Sequence, residues 1–261
     1  SLIHPEDNIN VKVIDTLFKI SLEKDIDKSI DVIKNKVIWS VKNGANIIIL
    51  SDRKACDEEL PLPMILVLRA IQLELNRTGR RLRLSIIIDS GEVFNGHQIS
   101  TLVSFGASAV CPFMILEMAR NESDYIDAKL SKAQKEQRVI QALKESLLKI
   151  MSKRGISVVR SYQGAELHTI LGVSKEIIEK YFPGHPNYFE GVTLDHIKES
   201  VLGRLKHNDK LQKTFLFKEH ASEKIGETHS LTSKKARLLH QILGMPFNST
   251  DALQLWEDFK K

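Results

Sequence analysis

Cysteine is scarce in this chain: only Cys56 and Cys111 occur among 261 residues, and they form no CxxC pair. That pattern offers no disulfide framework, so a reducing, cytosolic compartment is expected. Long apolar runs are missing as well. None approaches the ~20 residues that a membrane-spanning helix needs, the start does not read as a signal peptide, and no membrane partner is expected. The first residue is Ser1 and not methionine, as in a piece cut from a longer polypeptide. The compact motifs of nucleotide and hydrolytic chemistry are absent: there is no GxGxxG, Walker loop, HExxH or GxSxG. The nine histidines are scattered, with no two spaced to share a helix face as metal ligands. A net charge of +5 is mild for this length and gives no reason to expect nucleic acid. No internal repeat and no low-complexity block is present.

What is present is a repeated strand grammar. Residues 45–52 read Ala-Asn-Ile-Ile-Ile-Leu-Ser-Asp, a short β-branched run between a Gly-Ala entry and a polar exit. Such a run predicts a strand buried on both faces. Residues 84–91 (Leu-Ser-Ile-Ile-Ile-Asp-Ser-Gly) and 107–112 (Ala-Ser-Ala-Val-Cys-Pro) repeat it. Each is followed by a helical pattern, which predicts βαβ units and a parallel sheet. A first strand is expected within 11–22 and a fifth at 156–160, and residues 57–63 read as a loop. Helices are expected after Ile26, stopped by Asn43 and Gly44, and at 64–76, 93–104, 112–120, 128–154, 165–171, 174–182 (with Ser174 as N-cap) and 193–205. The predicted fold is α/β: a mainly parallel sheet of four to five strands flanked by helices over residues 1–205. A charged, partly helical C-terminal extension follows over 206–261, with helices near 232–243 and 250–260.

Parallel α/β sheets place their sites at the carboxyl ends of the strands. Asp52, Asp89 and Glu92 fall there, and Arg160 follows the expected fifth strand, so these four are the candidate anion- or ligand-binding residues. A plainer role competes for them, because Asp in such turns is favoured for binding loop amides and capping helices. Arg53 and Arg160 are suitable partners that would leave the strand ends neutral. Cys111 has no basic partner fixed beside it in the sequence, which favours packing over nucleophilic chemistry. No catalytic, cofactor-binding or metal-binding residue is assigned.

Several segments resemble the large subunit of glutamate synthase. The resemblance runs through residues 44–53, Leu-Pro-Leu-Pro at 60–63, Asp-Ser-Gly-Glu at 89–92, and Phe-Gly-Ala-Ser-Ala-Val-Cys-Pro-Phe at 105–113. It continues in Leu-Lys-Ile-Met-Ser-Lys-Arg-Gly-Ile-Ser at 148–157, Ser-Tyr-Gln-Gly-Ala at 161–165 and Lys-Tyr-Phe-Pro-Gly at 180–184. These lie in family order between about residues 13 and 205, most specifically over 149–164. The resemblance implies an enzyme that takes ammonia from glutamine at an amidotransferase domain and passes it to 2-oxoglutarate at a barrel holding FMN and an iron–sulfur cluster. It implies that this chain is the central domain and the connector that follows, a linker that helps wall the ammonia route. The amidotransferase and FMN-barrel domains would be its partners. The N-terminal cysteine nucleophile and the barrel's flavin and cluster motifs are missing, so no cofactor is expected in this chain. Ala-Ile-Gln-Leu-Glu-Leu at 70–75, His97-Gln98 and Asn-Tyr-Phe-Glu-Gly-Val at 187–192 depart from the family pattern and mark a divergent member.

Overall fold

The computed structural model describes residues 9–20, 25–121, 130–206, 233–246 and 249–260. The chain divides into two compact units, Ser1–Asp209 and Lys210–Lys261. In the first, β1 (Val11–Asp15) is followed by β2 (Leu17–Lys19), α1 (Ile26–Lys42), β3 (Ile47–Ser51), β4 (Glu59–Pro61) and α2 (Met64–Arg77). A 3-10 turn at Arg81–Arg83 then leads to β5 (Ser85–Asp89), α3 (Gly96–Ser104), β6 (Ala109–Cys111) and α4 (Phe113–Asn121). The long α5 (Lys132–Lys153), the single turn α6 (Val159–Tyr162), α7 (Lys175–Tyr181) and α8 (Leu194–Lys206) complete it. The described part of the second unit is two helices, α9 (Ser233–Leu243) and α10 (Thr250–Lys260). No helix among the described residues is long and apolar enough to cross a membrane.

Local chemistry explains where the helices begin. Asp25 takes the Asp27 amide at 3.0 Å to start α1, and Asn95 with Gln98 and Ser131 with Gln134 form reciprocal capping boxes for α3 and α5. Gly44 ends α1 with φ +87°, a conformation that L side chains avoid.

The main sheet is parallel, in the order β1-β3-β5-β6. Each crossover steps the same way, and right-handed crossovers that all step one way put their helices on one face. Ile14, Ile48, Leu50, Ile86 and Ile88 are accordingly buried with Ile30, Ile33 and Val37 of α1 and Val67, Leu68 and Ile71 of α2. The alternate residues behave differently. Val11 and Val13 are 43% and 60% exposed, and Ile47, Ile49 and Ile87 are half-buried. The all-apolar run at 45–52 thus does not mark a strand covered on both faces. Burial on both sides requires a strand order that reverses direction, and this one does not reverse within the described residues.

Four further expectations need correction. The strand expected over 11–22 breaks at Thr16, whose amide and hydroxyl both donate to the Ser51 carbonyl, at 2.8 and 3.1 Å. Beyond it, β2 turns away to pair antiparallel with β4, inside the segment read as a loop. Residues 156–160 form no strand; after Gly155 (φ +70°) the chain runs into α6 instead. The β-branched residues there lean on no sheet, with Val158 and Val159 55% and 43% exposed. Residues 165–171 are not helical. Glu166 sits at φ +52° and its amide is drawn to the Ser104 carbonyl, which is incompatible with a helical turn.

Candidate functional site

The parallel register aligns Asp15, Ser51, Asp89 and Cys111 in one row at the carboxyl ends of the strands. Their side chains face away from α1, α2 and α3, because the preceding residues Ile14, Leu50, Ile88 and Val110 pack into the core. The row is polar but its charges are paired. Arg53 holds Asp89 with two parallel bonds, Nε to Oδ2 at 2.7 Å and Nη2 to Oδ1 at 2.9 Å, and the Ser51 hydroxyl donates to the same carboxylate at 2.9 Å. The guanidinium of Arg53 lies 4.2 Å from the centre of the Phe113 ring. Lys54 pairs with Asp15 at 2.9 Å.

Cys111 is half-buried with its sulfur 3.7 Å from Arg53 Nη2. Burial and the neighbouring Asp89 carboxylate push its thiol above the ordinary range, outweighing the pull of Arg53. The neutral thiol therefore prevails near pH 7, which is unsuitable for a nucleophile.

Asp52 and Glu92 hold the turns behind this row. Asp52 is 2% exposed and accepts the Ser90 hydroxyl at 2.6 Å and the Gly91 amide at 2.9 Å. Glu92 accepts the Met64 amide at 3.1 Å. Helix α2 has Pro63 at its N-cap, which offers no side-chain acceptor, so a carboxylate from the turn after β5 supplies one across the sheet.

Asp52, Asp89 and Glu92 are thus brought together. Arg160 is not among them. It lies on α6 and lines a cavity of about 680 Å³ at the opposite, amino ends of β3, β5 and β6, with Arg69, Arg81, Arg83, Gln163 and Glu166. A second cleft of about 500 Å³ is mostly apolar and is bordered by His97, Arg154 and His168. Burial, then His97 and Arg154, push the His168 pKa down, so its ring is neutral at pH 7. Among the described residues no group of three or more His, Cys, Asp or Glu could hold a metal ion.

The sequence matches the family described as "Glutamate synthase central domain" over residues 1–174. The chain belongs to that family. It is 32% identical to the ferredoxin-dependent glutamate synthase, chloroplastic, of Oryza sativa subsp. japonica, over 90% of this chain and 16% of the rice protein. It is 29% identical to the glutamate synthase [NADPH] large chain of Bacillus subtilis, over 78% of this chain and 13% of that one. The glutamate synthase [NADH] of Schizosaccharomyces pombe is 31% identical over 70% of this chain and 9% of its own length. The chain therefore spans about a sixth or less of these relatives.

For a glutamate synthase central domain, the polar network at the strand ends was partly legible in sequence: three of the four named residues meet, and Arg53 was a foreseeable partner. Of the arginines in the large cavity only Arg160 was singled out; Arg69, Arg81 and Arg83 were overlooked. Their one local signal was Arg69, a charged residue set within the apolar stretch 64–71 and only 1% exposed.

Proposed function

We propose that this chain is the non-catalytic central domain of a glutamate synthase, joining the amidotransferase and FMN-barrel domains of one polypeptide and walling the ammonia route between them. The observation that carries this reading is the strand-end row. Where an α/β domain ordinarily does its chemistry, each carboxylate is already committed: Asp89 to Arg53, Asp15 to Lys54, Asp52 to the Ser90–Gly91 turn and Glu92 to the start of α2. Such residues hold loops in place and leave no general base.

Two features add support. The relatives are many times longer than this chain, which leaves room for the partner domains in their polypeptides. The sheet face that carries Val11, Val13, Ile49 and Ile87 offers apolar surface for a neighbouring domain to cover. We assign the FMN and the iron–sulfur cluster to the barrel domain. A cluster requires three or four ligating side chains, mostly thiolates, and Cys56 and Cys111 do not fit that need.

The reading is tested at Val13. Because this side chain is 60% exposed, Val13→Lys should change the stability of the chain by no more than about 0.5 kcal/mol. In the full-length enzyme the same change should lower glutamate formation severalfold by disturbing domain packing. Unaltered activity of the full-length variant, or turnover of glutamine or 2-oxoglutarate by the purified chain alone, would overturn the assignment.

A further inference from the structure

We propose that the cavity at the amino ends of β3, β5 and β6 binds a small polyanion, a molecule carrying at least two carboxylate or phosphate groups. Among the described residues that line it, four are arginines, Arg69, Arg81, Arg83 and Arg160, and one, Glu166, is acidic. A concave surface with low-dielectric walls concentrates the field of such charges. The volume, about 680 Å³, falls within the range of small-molecule sites, roughly 300–1,000 Å³.

Hydrogen-bond capacity points the same way as charge. The Gly106 carbonyl, between the lining residues Phe105 and Ala107, receives three donors: Arg81 Nη2 at 2.6 Å, Gln72 Nε2 at 3.0 Å and Gln163 Nε2 at 3.1 Å. A carbonyl oxygen has two lone pairs, so donors are crowded onto the acceptor available. An arginine fork has five N–H groups; Arg81 directs two bonds to backbone carbonyls, at Gly106 and Leu84. Arg69 is held by the Tyr181 carbonyl at 2.9 Å and by Glu166. Both guanidiniums are fixed in direction, with N–H groups left over. Arg83 and Arg160 are exposed, and their guanidinium groups have no hydrogen-bond or ion-pair partner among the described residues.

Two held arginines inside and two unengaged ones outside make more than one anion subsite, which is why the ligand carries at least two acidic groups. Arginine forks match carboxylate and phosphate oxygens alike. Burial pushes the Arg81 pKa down, so its charge is under-solvated and an incoming anion would relieve it. The proposal does not depend on the scaffold role: it would hold for a central domain within an enzyme and for a free-standing binding domain.

Isothermal titration of the 261-residue chain at low ionic strength, with pyrophosphate and with citrate as separate probes, tests it. Saturable binding of at least one probe is expected, with pyrophosphate alone marking a phosphate ligand and citrate alone a polycarboxylate. The double variant Arg83→Ala/Arg160→Ala should weaken binding by about tenfold or more. Because both side chains are exposed, an unchanged circular dichroism spectrum should accompany that loss. Arg138→Ala/Lys144→Ala on α5 should leave binding as it was. No saturation by either probe up to roughly 10 mM, equal binding by the cavity variant, or an equal loss in the α5 control would overturn the proposal.

Discussion

Asp52 shows how a candidate catalytic residue becomes a structural one. Its two carboxylate oxygens hold the Ser90 hydroxyl and the Gly91 amide, fixing the turn that delivers Glu92 to α2. Asp52→Ala should therefore cost about 2–3 kcal/mol in urea unfolding, since it strands buried donors. Asp52→Asn keeps an oxygen for the Gly91 amide and should cost less; equal losses for the two would refute the hydrogen-bond account. The meeting of Asp52, Asp89 and Glu92 was legible because parallel strands of similar length bring their ends level. Their partners were not, because a carboxylate's donors come from loops whose course no periodicity records. Ser174 illustrates the gap. Its position before α7 reads as a side-chain cap, yet its hydroxyl is buried without a partner among the described residues, and Glu190 takes the Lys175 amide at 2.9 Å instead. That glutamate lies in the loop at 187–192, fifteen residues on from the amide it holds.

Between elements, the contact of α7 with α1 carries a pH dependence. Lys180 and the Tyr181 hydroxyl both bond the Asp27 carboxylate. Burial raises the Asp27 pKa, but these hydrogen bonds and the Lys180 charge outweigh it and hold the carboxyl below its ordinary value. Tyr181, buried and facing that carboxylate, is pushed strongly upward and stays protonated. The folded chain then binds the Asp27 proton less readily than the unfolded chain does. The resulting stability is complete above the ordinary carboxylate range and is lost as pH falls through the lowered value. The urea midpoint should drop across that acidic window, and Asp27→Asn should flatten the slope there while leaving it unchanged at neutral pH. An identical acid slope in the variant would exclude the contact. Such a pairing was beyond sequence reading, because Asp27 and Lys180 are joined only by packing. The same holds for 156–160, where strand-forming side chains met no strand to pair with and became the entry to α6.

For the whole molecule, the helices and the parallel sheet were readable because amphipathic spacing and β-branched runs bounded by turns are local signals. Which face of the sheet stays open was not, since apolar residues at alternate positions look alike whether a helix or a neighbouring domain covers them. The basic cavity was equally hidden, being assembled from α2, the 81–83 turn and α6. Among the described residues both hydrophobic clusters draw their buried members from positions 14–201, so unit Ser1–Asp209 has a core of its own. Residues 1–209 expressed alone should unfold in a single cooperative urea transition followed by circular dichroism; a gradual, non-cooperative loss of signal would show that this unit cannot stand by itself.

The strand order has a kinetic consequence. Val11 pairs with Ile47, Ile47 with Ser85 and Ile87 with Ala109, so each strand of the parallel sheet docks on the strand of that sheet that emerged before it. During synthesis from the N-terminus, no strand of this sheet has to wait for a later segment to be inserted between it and its neighbour. The template grows at one edge, one crossover at a time, and each addition closes a modest loop onto structure already formed.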